Sequence, residues 1–416
     1  MNQSNFAPET QMMGYGYKPE LSEGSIKCPV FQTSTFVFKT AEEGKAFWEK
    51  ANGKPGTEDV EMGLIYSRIN NPDIEILEER LKLWDGGEAA AVFSSGMSAI
   101  ATSMVSFLKP GDVILMSNPL YGGTHKFIHF MLHNWGVTSI GFNPEDSKED
   151  ICKLIEANNA GNTLKMIFVE TPANPTNDLI DIEMCSQIAA QYSTADKKVF
   201  LAVDNTYMGP LWQHPLKHGA DIALYSATKY IGGHSDLIAG AAVGSNAVIK
   251  AIKKSRTVFG TIIDPHTSWL LMRSLETLKI RMEAAANNAE KIAEYLLSHP
   301  KIEKVYYLGF TKTNKPNQLE VLNKQYLSNG AMISFDLKGG EKEAFVFLNN
   351  LKHIKLAVSL GGTESLAEHP FTMTHSDIPV EEKNKLSLTD KMVRLSVGIE
   401  NWRDLIYDIE SALSFV

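Results

Sequence analysis

Two short apolar runs in the middle of the chain each end in a polar residue that packing does not require. Val199 to Val203 reads as a buried strand and closes on Asp204. Asp221 to Tyr225 reads as a second strand and closes on Ser-Ala-Thr-Lys, which sets Lys229 just past the sheet edge. Ligands of an α/β sheet bind in the crevice beyond the carboxyl ends of its strands. A carboxylate and an amine from separate strands are thereby offered to one crevice. The pair suits an aromatic nitrogen cofactor that carries an aldehyde: the amine condenses with the aldehyde, and the carboxylate keeps the ring nitrogen protonated. Taken singly, Lys229 reads as a solvated lysine and Asp204 as a turn or cap residue, so the assignment rests on what surrounds them.

A chain of 416 residues exceeds one core, and two domains are expected. An arm over residues 1–77, a cofactor-binding α/β domain over 78–275 and a smaller α+β domain over 276–416 are predicted. The arm is interrupted at Pro19, Gly24 and Pro29, with one helix at Ala41 to Ala51 using Phe47 and Trp48 as apolar contacts. Its scattered rings (Tyr15, Tyr17, Phe31, Phe36, Phe38) need a surface to cover them, and a neighbouring subunit is expected to supply it. A formal net charge of −9 without a basic run argues against nucleic acid. Cys28, Cys152 and Cys185 show neither metal-ligand spacing nor a disulfide framework, which fits a reducing, cytoplasmic setting with no metal. No basic start followed by an apolar core appears at the N-terminus, so no secretion signal is expected. Ala89 to Leu108 is uncharged and long enough to span a bilayer, but its serines and glycine predict a strand, a tight turn and a buried helix instead.

Along the main domain, a helix is expected over Ile74 to Trp84 and strands over Ala89 to Phe93, Asp112 to Ser117 and Met166 to Val169. Gly240 to Gly244 reads as a last, antiparallel strand. Ser94-Ser95-Gly96-Met97 turns from strand into helix, and the free N–H groups of a helix start favour a phosphate. Ser226 and Thr228 supply hydroxyls from the central stretch, although close strand–helix packing would also select small residues. One long helix is expected over Pro265 to Met282, then a helix over Glu283 to His299 and a strand over Met332 to Leu337. In Val393-Arg394-Leu395-Ser396 the arginine alternates with apolar neighbours, and a buried arginine needs an anion, from a ligand or from the chain itself. Asn401 reads as the cap of a closing amphipathic helix.

These motifs together resemble the Cys/Met-metabolism enzymes dependent on pyridoxal 5'-phosphate, the group of cystathionine γ-synthase, cystathionine γ-lyase and methionine γ-lyase. The resemblance runs from Tyr66-Ser67-Arg68 to Arg394. It implies a fold type I transferase: a large domain on a mostly parallel sheet plus a smaller α+β domain. Lys229 is then the catalytic lysine that carries the cofactor, and Asp204 the partner of its ring nitrogen. Tyr121 stacks on the ring and serves as a proton donor. Gly96, Met97, Ser226 and Thr228 cradle the phosphate, and Asn174 lies near the cofactor's phenolic oxygen. Tyr66 and Arg68 reach across a dimer interface to the partner's phosphate, which implies a homodimer with shared sites, paired into a tetramer. Ser359, Arg394, Asn174 and Val358 face the substrate. Asp73, where the family usually has Thr, and a longer loop before Tyr66 depart from the pattern.

The resemblance implies γ-elimination on methionine or a related sulfur amino acid, giving a 2-oxo acid, ammonia and a thiol. Val358 stands where cystathionine-handling enzymes usually carry Glu, which favours a methyl thioether. Gly123 stands where methionine γ-lyases typically carry Cys, which does not. The alternatives are γ-replacement on an O-acyl-homoserine and cystathionine γ-lyase activity. Tyr225-x-x-x-Lys229 also matches the catalytic pair of short-chain dehydrogenases, but the Gly-rich dinucleotide turn they need after a first strand is missing.

Overall fold

The computed structural model describes residues 6–60, 62–376 and 379–416, without the side chains of residues 382, 384 and 385. The start of the expected arm, residues 1–5, lies outside them. The main sheet has seven strands: β1 (Ala89–Phe93), β2 (Val113–Ser117), β3 (Thr138–Phe142), β4 (Leu164–Glu170), β5 (Phe200–Asp204), β6 (Ile222–Tyr225) and β7 (Gly240–Gly244). Their order is β1-β7-β6-β5-β4-β2-β3. All pairings from β3 to β6 are parallel, and β7 lies antiparallel between β6 and β1, as expected. Helices cover both faces, so most strands are buried along their length rather than alternating, while the edge strand β3 alternates, with Ile140 and Phe142 buried. The uncharged stretch near residue 100 is β1 followed by the helix Gly96–Phe107. Among the described residues no helix is long and apolar enough to cross a membrane.

The second sheet contains β8 (Ile302–Tyr306), β9 (Met332–Leu337), β10 (Lys355–Leu356), β11 (Leu366–Glu368) and β12 (Met392–Ser396), in the order β10-β11-β12-β9-β8. The helix Trp402–Leu413 closes the chain, and the Asn401 side chain accepts from the Arg403 N–H as its cap. One apolar cluster runs through both units, with Tyr207, Tyr230 and Leu271 packed alongside Met282, Phe335 and Leu360. A shared core of this kind fixes the strand ends of the large sheet against β11 and β12.

Two expectations about elements are corrected. The predicted helix from Pro265 to Met282 is two helices, Pro265–Leu275 and Leu278–Ser298. Thr277 leaves helical geometry, and its hydroxyl bonds back to the Ser274 carbonyl at 3.2 Å. The opened turn also gives the buried Arg281 an acceptor, with Nη2 on Ser274 O at 3.0 Å. In the arm, Trp48 is exposed while Phe47 is buried, so only one of the two expected contacts is internal. Tyr17 and Phe31 pack on this chain's own core. Asp73 explains part of the arm's course: it is buried at the start of the helix Pro72–Asp85 and accepts the Phe31 N–H at 2.7 Å.

Candidate active site

The strands that end in polar residues all open on one crevice. Parallel register places Glu170, the last residue of β4, directly beside Asp204, the last of β5. The turn after β6 brings Lys229 to the same place. A cavity of about 330 Å³ is lined there by Asp204, Lys229, Glu170, Asn174, Tyr121 and Arg394, with Ser359 and Val358 from the small domain. Gly96, Met97, Ser226 and Thr228 form its far wall. Every predicted site residue except Tyr66 and Arg68 is therefore brought together.

Lys229 donates from Nζ to Ser359 Oγ at 2.8 Å. Burial, and then the nearby Arg394 charge, hold its amine below the usual lysine range, which enlarges the neutral fraction able to attack a carbonyl or take a proton. Ser359 has φ of 141°, a region a non-glycine residue rarely occupies. That conformation lets one residue serve both domains: its hydroxyl meets Lys229, and its carbonyl accepts Arg394 Nη2 at 2.8 Å.

Asp204 is buried, and both bonds from Thr206 go to Oδ1, from the backbone N–H at 3.0 Å and the hydroxyl at 2.6 Å. Burial raises its pKa. Its neighbour Glu170 is pushed up to about 8, first by burial and then by the Asp204 charge. Two buried carboxyls side by side cannot both ionise cheaply. A cationic ring nitrogen held by Asp204 would resolve that conflict by supplying a positive charge.

Burial of Arg394 among apolar neighbours is as expected, and it has an anion within the chain: Nη1 pairs with Glu368 Oε1 at 2.7 Å, the side chains being 2% and 0% exposed. Nη1 also donates to Asn174 Oδ1 at 3.0 Å, so Asn174 faces the arginine. Glu368 is opposite Arg394 in the antiparallel register of β11 and β12. The backbone N–H of Tyr121 donates to Glu170 Oε2 at 2.7 Å, which anchors the tyrosine loop to the carboxyl pair.

At the far wall the Ser95 side chain caps the helix Gly96–Phe107 by accepting from the Ser98 N–H. The Gly96 and Met97 amides lie in the first turn, where no helical acceptor exists. A Cβ at Gly96 would stand 2.8 Å from Ser226 Cβ, so glycine is what lets the helix start approach the β6 turn. The Thr228 hydroxyl donates to Ala239 O at 3.2 Å and accepts the Ala239 N–H at 3.0 Å, so it is already engaged on the backbone. Unfilled donors at a helix start, a buried carboxylate and a lysine held below its usual range fit a phosphorylated pyridine aldehyde.

Tyr66 and Arg68 lie away from this cavity. Tyr66 is 42% exposed, and Arg68 donates from Nη1 to Thr257 O at 2.7 Å. Tyr225, the dehydrogenase alternative's tyrosine, is also apart from it. Buried in the core, it donates its hydroxyl to Asp85 Oδ1 at 2.7 Å, and that alternative falls. Glu170, Thr206 and Glu368 join the site without a role in the motifs above, and Tyr207 lines the cavity beside them. Glu170 carried the same signal as Asp204, a charge ending an apolar strand.

Comparison with known proteins agrees. The chain is 38% identical over 412 residues to the L-methionine gamma-lyase of Pseudomonas deceptionensis, covering 98% of each chain. It is 38% identical to the cystathionine gamma-lyase of Bacillus subtilis over 97% of this chain and 98% of the other. The crystal structure of cystathionine gamma-lyase from Lactobacillus plantarum complexed with L-serine superposes with a TM-score of 0.86 at 34% identity, covering 99% of each chain. Residues 9–414 match the model of one family, and the chain belongs to it: the Cys/Met metabolism PLP-dependent enzymes.

Proposed function

We propose that the enzyme eliminates the γ-substituent of methionine or a related sulfur amino acid, releasing a 2-oxo acid, ammonia and a thiol. The observation that carries this reading is the convergence of Lys229, Asp204 and Arg394 on one cavity whose substrate side is apolar at Val358. Bound pyridoxal 5'-phosphate supplies an aldehyde that condenses with amines and a ring that accepts electrons from the substrate's Cα. Asp204 is the residue to hold the ring nitrogen's proton, and the helix start at Gly96 and Met97, with Ser226, to hold the phosphate. The Thr228 hydroxyl donates to the Ala239 carbonyl, so it can donate to a phosphate oxygen only after releasing that bond.

The remaining steps belong to the chain's own side chains. Arg394 receives the substrate's α-carboxylate and so fixes the Cα–H bond relative to the lysine. Lys229, neutral once displaced by the substrate's amine, takes the Cα proton, and Ser359 Oγ orients its Nζ. Tyr121 passes a proton to the sulfur as it leaves Cγ. Val358 offers an apolar surface to a thioether and has no charge for the distal ammonium of cystathionine.

Support from the named relatives extends equally to a lyase acting on cystathionine, and the glycine at 123 keeps that second reading in view. A Cβ there would lie 2.7 Å from Tyr121 Cε1, so the tyrosine ring occupies the space a larger residue would take. Incubating the holoenzyme with L-methionine and no thiol is expected to give 2-oxobutanoate. Turnover of O-acetylhomoserine with sulfide but not of methionine would instead establish γ-replacement. Tyr121→Phe is expected to lower kcat by about 10²-fold with KM little changed, since the ring keeps its stacking surface and loses only the proton.

Assembly as a homo-oligomer is part of the same proposal. Tyr66 and Arg68 are exposed and distant from their own chain's cavity, which suits a role in a partner's. Three free cysteines suit a reducing cytoplasm.

A further inference from the structure

We propose that Glu368 is a positioning residue that sets the direction and the strength with which Arg394 binds a carboxylate; the inference rests on the reading of Arg394 as the carboxylate receptor. A guanidinium has five N–H donors in a fixed plane. On Arg394, Nη1 is taken by Glu368 at 2.7 Å and by Asn174 at 3.0 Å, and Nη2 gives one N–H to Ser359 O at 2.8 Å. The Nε–H is buried and has no partner among the described residues. With Nη1 committed, an incoming carboxylate is left with the Nε–H and the second N–H of Nη2, which gives it one approach rather than several.

Glu368 is itself held in one pose. Its Oε1 accepts from Arg394 and also from the Thr374 hydroxyl at 3.0 Å, while Oε2 is buried and has no partner among the described residues. Antiparallel pairing of β11 with β12 fixes the two residues opposite each other. A carboxylate completely removed from water and only half satisfied is costly to keep, so its role is not simple packing. Its negative charge pairs with Nη1 of the same guanidinium that a ligand carboxylate must approach. It therefore weakens Arg394 as an anion receptor. The consequence falls on the product more than on the substrate. A 2-oxo acid has no amine to condense with the cofactor, so its grip on the site depends far more on Arg394. By offsetting that charge, Glu368 lets the carboxylate product leave.

The test uses the holoenzyme and calorimetric binding of three ligands: 2-oxobutanoate, L-norleucine, and L-norleucinol, which lacks the carboxylate. Glu368→Gln keeps an oxygen for Arg394 Nη1 and removes the charge. It is expected to bind 2-oxobutanoate about tenfold more tightly and norleucine more tightly, with norleucinol unchanged. Turnover should become correspondingly more sensitive to inhibition by 2-oxobutanoate. Unchanged or weaker 2-oxobutanoate binding by a variant of native-like melting temperature overturns the proposal, as does equal tightening of norleucinol. Should Glu368→Gln not fold, Glu368→Thr, also neutral and suited to a strand, carries the same comparison. Arg394→Leu separates the two layers. If it leaves 2-oxobutanoate binding intact, the reading of Arg394 fails; if it abolishes binding while Glu368→Gln has no effect, only the role of Glu368 fails.

Discussion

Lys229→Ala is expected to lower 2-oxo acid formation by at least about 10⁴-fold, because the proposed mechanism assigns one side chain both to carry the cofactor and to move the Cα proton. The fold should survive. Among the described residues the amine makes one hydrogen bond, to Ser359 Oγ, and its burial is a cost to the folded state rather than a support. An unchanged melting temperature, alongside lost turnover, is the expected pair of results. Lys229→Arg should fare no better, since a permanently charged guanidinium cannot attack an aldehyde or accept a proton.

Asp204→Asn is expected to cost about 10- to 150-fold in kcat, the range that corresponds to losing a charge-assisted hydrogen bond of about 1.5–3 kcal/mol. The amide keeps the shape and the bonds from Thr206 but no longer favours a protonated ring nitrogen. A second effect follows from the register of β4 and β5. The Asp204 charge is one of the causes that raise Glu170 to about 8, so its removal should let Glu170 ionise at lower pH. Activity of the variant measured across pH should therefore show any ionisation that belongs to Glu170 moved downward.

Most of the site was legible because its residues end apolar strands. Asp204 and Lys229 follow runs that a buried strand explains, and Gly96 sits where a strand turns into a helix. Such signals are local, and they survive in a single sequence. What escaped depends on pairing between distant segments. Glu368 acquires its partner only when β11 lies beside β12, and nothing in Leu366-Ala367-Glu368 indicates which strand will be its neighbour. Glu170 likewise becomes a companion of Asp204 through sheet order. The anion for Arg394 was expected from the ligand or from within the chain, and the fold supplies one from within. The break at Thr277 was hidden because Ser274 and Thr277 are tolerable in a helix until a buried arginine claims a freed carbonyl. The dehydrogenase-like Tyr225 and Lys229 are near in sequence, yet the strand end sends them to opposite environments, one into the core and one into the crevice.

The proposed mechanism requires the cofactor to be joined to the chain at one lysine. Reduction of the coloured holoenzyme with borohydride, followed by digestion and mass mapping of the peptides, tests it directly. The account predicts a pyridoxyl group on the peptide containing Lys229 and on no other lysine, with loss of the visible absorbance. A stable adduct at a different lysine, or complete loss of colour with Lys229 unmodified, would contradict it.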